Sequence, residues 1–175
     1  MVHADSSTFA EGLSKKDVYE QILEQAKALF DGQRNWVCNL ANTSSLLYHG
    51  LHSLPSPSSA VNWAGFYVSD PKDPNSLVLG PFHGQVACQV IAFGKGVCGT
   101  AAKEQKTQLV EDVDAFPGHI ACDGASKSEI VVPIVKEGKV VAIIDLDCAE
   151  LKGFGEEDKV ALEELAQLIA DSSDF

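Results

Sequence analysis

The residues of this chain most able to do chemistry are its five cysteines: Cys38, Cys88, Cys98, Cys122 and Cys148. A cysteine thiolate is a nucleophile, and it is oxidised reversibly to a sulfenic acid or a disulfide. The odd number and the lack of an apolar leader segment argue against a structural disulfide framework. A zinc site normally shows paired ligands, whereas the short unit HIAC at residues 119–122 has no second half. The sequence therefore favours redox cysteines and predicts no metal site.

Carboxylates and aromatic rings are the next candidates. Asp145 and Asp147 alternate along a predicted strand and so share one face near its end. Glu129 begins the preceding strand, and a hairpin between the two strands brings it to the same end of the sheet. Clustered carboxyls raise one another's pKa, so one of them can stay protonated and act as a general acid. Trp63 and Tyr67 share a face of an earlier strand and provide aromatic walls. The alternative interpretation is that these acids only end their strands and bind water.

The charge of the chain narrows the classes of partner. Thirteen Lys and Arg against twenty-five Asp and Glu leave a net charge of −12 at pH 7. Nucleic acids and anionic membranes need a basic footprint, so neither is expected as a partner. No apolar run approaches the ~18 residues of a membrane span, and we expect a cytoplasmic protein.

A glycine-rich stretch surrounds Cys98. Residues 94–100 (GKGVCGT) lack both the G-x-x-x-x-G-K-[ST] loop and the dinucleotide fingerprint. They predict a tight loop that leads into a short helix at residues 97–103. Cys98 then lies near the N-terminus of that helix, where a thiolate is stabilised.

Hydrophobic periodicity predicts the elements that position these side chains. Helices are expected from Ser14 to Gly32 and over residues 35–51 and 156–172, besides the short one. Strands are expected over residues 60–69, 77–80, 108–110, 130–135 and 139–146, with a turn at 137–138 between the last two. Two helices, a meandering sheet and a closing helix make an α+β domain. Residues 1–13 are expected to be a flexible tail and 14–175 a single domain, with Cys38 buried on the second helix.

Five segments together resemble the free methionine-(R)-sulfoxide reductases, which are single-domain GAF proteins. The segments are NWAGFY at 62–67, GKGVCG at 94–99, FPGHIACD at 116–123, SEIVVP at 128–133 and IDLD at 144–147. The resemblance runs from about residue 16 to residue 170 and includes the order and spacing of the cysteines at 88, 98 and 122. It implies a GAF-like antiparallel sheet of about six strands with helices packed against it.

The resemblance also implies an activity, the thiol-dependent reduction of free L-methionine (R)-S-oxide to L-methionine. By matching positions, Cys122 is the cysteine that attacks the sulfoxide and is left as a sulfenic acid. Cys88 is the main resolving cysteine that forms a disulfide with it, and Cys98 is a third cysteine that can join the relay. No bound cofactor is implied. Thioredoxin, reduced by NADPH through thioredoxin reductase, would restore the thiols.

The same matching assigns the substrate-binding residues. Trp63 and Tyr67 match the aromatic wall around the methyl group of the substrate. Glu129, Asp145 and Asp147 match the acids that hold and activate it. His119 is left without a catalytic role, as are the two cysteines outside the family pattern, and Cys148 is expected in the core.

Two other functions compete with this interpretation. A GAF module that binds a cyclic nucleotide or another small molecule would leave three thiols without a purpose, and 175 residues leave no room for an output domain. A redox sensor or peroxidase shares the sulfenic acid and disulfide steps, but the acids and aromatic wall favour an amino-acid-like sulfoxide. The sequence leaves open whether the chain forms a homodimer.

Overall fold

Six strands form one antiparallel sheet in the order β3-β2-β1-β6-β5-β4. The structure, a computed structural model, describes residues 8–118 and 124–175. The helices are α1 (Lys15–Phe30), α2 (Trp36–His52), α3 (Gly96–Glu104) and α4 (Glu156–Ser172). The strands are β1 (Val61–Asp70), β2 (Asp73–Gly84), β3 (Val90–Ala92), β4 (Gln108–Val110), β5 (Ser128–Lys136) and β6 (Lys139–Cys148). The predicted α+β class and the six-stranded antiparallel sheet are confirmed.

The two faces of β1 point into two separate apolar clusters. Ala64 and Phe66 belong to the main core, which lies between the sheet and helices α1, α2 and α4. Trp63 and Tyr67 belong to a second cluster on the opposite face, together with α3 residues such as Val97. This is the period-2 alternation expected of a strand with both faces covered. The sheet therefore separates a structural core from the face that carries the aromatic pair.

Helix α1 begins at a capping box, as Ser14 and Asp17 predict. The backbone N–H of Asp17 donates to Oγ of Ser14 at 3.2 Å, and the backbone N–H of Ser14 donates to Asp17 at 3.1 Å. These bonds satisfy amides that the first helical turn leaves without partners. The Ser14 hydroxyl also donates to Oδ2 of Asp17 at 2.6 Å, and this bond, followed by that of the Ser14 backbone N–H, holds the pKa of the Asp17 carboxyl below its ordinary value.

A buried carboxylate connects the first helix to the last. The Tyr19 hydroxyl donates to Oδ1 of Asp158 at 2.8 Å, and the Lys15 ammonium lies 2.9 Å from Oδ2. Asp158 is almost fully buried at the start of α4. Because a buried charge is tolerated only when it is paired and hydrogen-bonded, these contacts fix α1 against α4.

The turn between β5 and β6 sets the register of the functional strands. Glu137 and Gly138 have φ of 52° and 76°, the left-handed pair that closes a two-residue hairpin. The hairpin pairs Lys136 with Lys139 and, at its far end, Glu129 with Asp147. The expectation that these acids lie at the same end of the sheet is confirmed.

Some local expectations differ from the structure. β2 is much longer than residues 77–80, and the three-residue β3 was not predicted because its position depends on pairing with β2. Cys38 is exposed rather than buried, since its part of α2 faces away from the core. Phe9 and Leu13 pack against the main core, and the division into a tail and a single domain stays a prediction. Among the described residues, every helix is too short or too polar to cross a membrane.

Candidate active site

A cavity of about 200 Å³ opens on the face of the sheet that α3 covers. Seven of the eight predicted site residues line it: Trp63, Tyr67, Cys88, Cys98, Glu129, Asp145 and Asp147. The eighth, Cys122, lies outside the described residues, as does His119. Residues separated by up to 84 positions in the chain are thus brought to one cavity.

Strand pairing places the acids beside the aromatic wall. Asp147 is paired with Trp63 on one side and with Glu129 on the other. Asp145 lies two residues earlier on the same strand and is paired with Gly65. Paired residues on antiparallel strands project from the same face of a sheet, so these side chains form one row across β1, β6 and β5.

The aromatic wall is a stack of three rings. Trp63 lies 5.1 Å from Phe82 and 5.9 Å from Tyr67 between ring centroids, with interplanar angles of 13° and 23°. The Trp63 indole N–H donates to the carbonyl of Gln85 at 3.1 Å, which fixes the ring. Phe82 can approach because residue 65 is glycine: a Cβ there would lie 2.3 Å from the Cβ of Phe82. The sequence analysis missed Phe82, and recognition of the full length of β2 would have revealed it.

The floor of the cavity holds a buried thiol and two buried carboxyls. The Cys98 thiol donates to Oδ2 of Asp145 at 3.2 Å and lies 3.6 Å from Oε1 of Glu129. The three side chains are only 7%, 6% and 5% exposed for Cys98, Glu129 and Asp145. Loss of hydration raises the pKa of Asp145 to about 7. Burial, followed by the charge of Asp145, raises the pKa of Glu129 well above its usual range.

The expected stabilisation of a Cys98 thiolate is wrong. Cys98 does lie in the first turn of α3, where a helix dipole favours an anion. Burial, and then the neighbouring charges of Asp145 and Glu129, instead raise the pKa of the Cys98 thiol well above its usual value. The cavity therefore holds Cys98 as a neutral thiol that donates to the acids.

The other described cysteines differ in their redox state. Cys88, in the connection between β2 and β3, is disulfide-bonded, whereas Cys38, Cys98 and Cys148 are free thiols. The Cys148 thiol is buried in the main core and lies 3.4 Å from the carbonyl of Pro57, so its expected packing role is confirmed. Among the described His, Cys, Asp and Glu side chains, those placed to share a metal ion are Cys98, Glu129 and Asp145.

Comparison with known proteins agrees with this geometry. Residues 12–172 match the GAF domain family. The free methionine-R-sulfoxide reductase of Saccharomyces cerevisiae is 53% identical over 174 residues, which are 99% of this chain and 95% of that protein. The reductase of the same name from Escherichia coli is 42% identical over 89% of each chain. The X-ray structure of the Neisseria meningitidis enzyme in complex with its substrate has a TM-score of 0.85 at 38% identity over 95% of both chains. This chain is a GAF domain and belongs to the family of free methionine-R-sulfoxide reductases.

Proposed function

We propose that this chain reduces free L-methionine (R)-S-oxide to L-methionine by thiol chemistry. The observation that carries the proposal is the joint presence, in one cavity, of an aromatic wall, carboxyls of raised pKa and a disulfide-bonded cysteine. A peroxide sensor needs only the cysteine. A sulfoxide with an apolar methyl group and a basic oxygen uses all three.

The substrate sits between the ring stack and the row of acids. Its methyl group packs on Trp63 and Tyr67, which present apolar surface to the cavity. Its ammonium group is attracted by the carboxyl row, of which Asp147 is a member. Lys95 lines the same cavity and is placed to pair with the free carboxylate of an amino acid. A peptide-bound methionine has neither charged end, which explains a preference for the free amino acid.

A carboxyl of the pair Asp145–Glu129 acts as the general acid. A sulfoxide oxygen is a poor leaving group until it is protonated. An acid with a pKa of about 7 carries its proton in a large fraction of molecules near neutral pH, where an ordinary carboxyl would have lost it. The raised pKa of Asp145 therefore fits the donor of that proton.

Cys122 supplies the nucleophile in this proposal. Its thiolate attacks the protonated sulfoxide, the oxygen moves to the cysteine, and methionine leaves a sulfenic acid on Cys122. The Cys88 thiol then displaces water from the sulfenic acid and forms the Cys88–Cys122 disulfide. The disulfide-bonded state of Cys88 supports a resolving role for this cysteine.

Cys98 is the third cysteine that can join the relay in the cycle we propose. It must first give its proton to a neighbouring carboxylate before it can attack the disulfide. Two thiols of thioredoxin, reduced by NADPH through thioredoxin reductase, then restore the cysteines. The proposed setting is the cytoplasm, where such a reductant works on a single-domain enzyme that needs no prosthetic group.

A coupled assay tests the function. NADPH consumption is followed with thioredoxin and thioredoxin reductase on free methionine (R)-sulfoxide, its (S) epimer, a peptide-bound sulfoxide and hydrogen peroxide. We expect turnover of the free (R) epimer, lost in Cys122→Ser and kept in the control Cys38→Ser, whose thiol is exposed and away from the cavity. Turnover of peroxide alone would make the protein a redox sensor. No turnover of any compound would favour a ligand-binding module.

A further inference from the structure

Three potential metal ligands lie at the floor of the cavity with the mutual spacing of zinc ligands. Sγ of Cys98 is 3.2 Å from a carboxylate oxygen of Asp145 and 3.6 Å from one of Glu129, and the three ligand atoms all lie within 4.8 Å of one another. Ligands of a tetrahedral Zn²⁺, with Zn–S of about 2.3 Å and Zn–O of about 2.1 Å, stand roughly 3.4–3.6 Å apart. The two distances from Sγ of Cys98 lie within a few tenths of an ångström of this spacing.

An orphan oxygen points independently to a ligand at this place. Oδ1 of Asp145 is buried, belongs to a side chain that lines the cavity, and has no hydrogen-bond donor in the described part of the chain once Glu129 has lost the proton that it shares with this carboxyl. A buried polar atom left without a partner costs about 1–3 kcal/mol, and more when it is charged. A cation at the floor of the cavity would satisfy it.

The three ligands are held by rigid elements. Glu129 and Asp145 lie on β5 and β6, which are paired along their whole length near the cavity, and Cys98 lies in the first turn of α3. A metal site is tight when its ligands are fixed by the scaffold before the ion arrives. The thiol is also free in this structure, so it is available to an ion.

We propose that Cys98, Glu129 and Asp145 bind a thiophilic divalent cation, Zn²⁺ above all, with the fourth tetrahedral position open to the cavity. The S–H bond of Cys98 is exchanged for an S–Zn bond and its proton goes to solvent, as does any proton held by the carboxyls. No electron is transferred. A mixed sulfur and oxygen ligand set disfavours Mg²⁺ and Ca²⁺, which take oxygen ligands.

The consequence for the enzyme is reversible inhibition. The ion occupies the carboxyls that protonate the sulfoxide and blocks the floor of the cavity. This consequence rests on the proposed function, whereas binding of the ion does not. Zn²⁺ and free methionine sulfoxide are therefore expected to compete.

Co²⁺ is the probe, because it enters tetrahedral zinc sites and a bound thiolate gives a charge-transfer band in the near ultraviolet. The titration uses the full chain with Cys38→Ser as background, so that the exposed thiol cannot bind the ion. We expect one Co²⁺ per chain, a sulfur-to-cobalt band, and displacement of Co²⁺ by Zn²⁺. Absence of the band would overturn the proposal.

Two variants locate the ion. Cys98→Ser is expected to remove the band, while the control Cys148→Ser, which removes a buried thiol outside the cavity, keeps it. Asp145→Asn keeps the side-chain volume and is expected to weaken Co²⁺ binding about tenfold or more, since even supporting groups of a metal site contribute that much. An unchanged affinity in Asp145→Asn refutes the site, and this holds even if Cys98→Ser does not fold.

The reductase assay in the presence of a chelator separates the two proposals. Activity of metal-free protein without a cobalt band would disprove the metal site and leave the proposed function intact. A cobalt band in a protein whose metal-free form has no reductase activity would support the metal site and disprove the proposed function.

Discussion

Asp145→Asn is expected to be more stable than the unaltered protein, by a margin that grows as the pH rises. The same substitution is expected to remove activity. The carboxyl is buried, and its pKa is raised from 3.8 to about 7 because the charged form loses its hydration. The folded protein therefore binds a proton that the unfolded chain releases at lower pH. The contribution of this carboxyl to stability is therefore full below pH 3.8 and is lost progressively as the pH rises to about 7. Asparagine has nearly the same shape and carries no charge at any pH.

The size of the effect follows from the two pKa values. At about 1.4 kcal/mol per pH unit, the rise from 3.8 to about 7 corresponds to about 4 kcal/mol when the group is fully ionised. The variant is expected to gain about 2 kcal/mol over the unaltered protein at pH 5 and about 4 kcal/mol at pH 8. Removal of the Asp145 charge also relieves the pKa of Glu129, which changes stability in the same direction.

Urea unfolding followed by tryptophan fluorescence at pH 5, 6.5 and 8 measures the gap, which is the free energy of unfolding of Asp145→Asn minus that of the unaltered protein. All other titrating groups are common to both proteins, so the change of the gap with pH isolates this carboxyl and its neighbour. Asp31→Asn provides the matched control, because Asp31 is exposed at the end of α1 and does not line the cavity.

A gap that is constant or shrinks between pH 5 and pH 8 would refute the reasoning, because the buried carboxyl would then ionise as freely in the folded state as in the unfolded chain. The coupled assay is run on the same variant. A stabilised protein with normal reductase activity would show that Asp145 is not the proton donor, whatever its pKa.

Three other outcomes are expected. Gly65→Ala should lower the free energy of unfolding by about 1–3 kcal/mol in urea titrations, because the new Cβ would overlap Phe82; equal stability would mean that the ring stack yields freely. Tyr19→Phe should lower it by about 1–3 kcal/mol, since Asp158 loses a buried hydrogen-bond donor; a neutral result would assign that carboxylate another partner. The kcat/KM of the reductase should fall as the pH rises above about 7, where Asp145 loses its proton, and a profile that only rises to pH 9 would exclude this acid.

Local signals were sufficient to predict most of the fold. Helix α4 has its predicted bounds because its two signals, an acidic first turn and a helical repeat of apolar residues, both lie within one continuous segment of the chain. The hairpin turn at Glu137 and Gly138 is also a local signal. Because it joins β5 to β6 and sets their register, it also determines the pairing of Glu129 with Asp147 at the far end of the strands.

Properties that depend on distant residues could not be predicted in this way. β3 is three residues long and exists only because β2 pairs with it. The protonation of Cys98 depends on Glu129 and Asp145, which are 31 and 47 positions away, and on burial that no single segment reveals. A helix N-terminus is a local feature that favours a thiolate, but the remote carboxyls and loss of water outweigh it.

Cys88 lies next to the edge of the sheet, so a change in its redox state affects the edge strand rather than the centre of the fold. Cys88 precedes β3, a three-residue strand at the edge, whereas the carboxyls lie on strands next to or within the centre of the sheet. Amide hydrogens of an edge strand exchange with solvent through small local openings, and those of β1 and β6, bonded on both sides, require almost global unfolding. In the proposed cycle the edge can therefore open when the disulfide of Cys88 forms or breaks, at little expense to overall stability, while the proposed proton donors keep their positions.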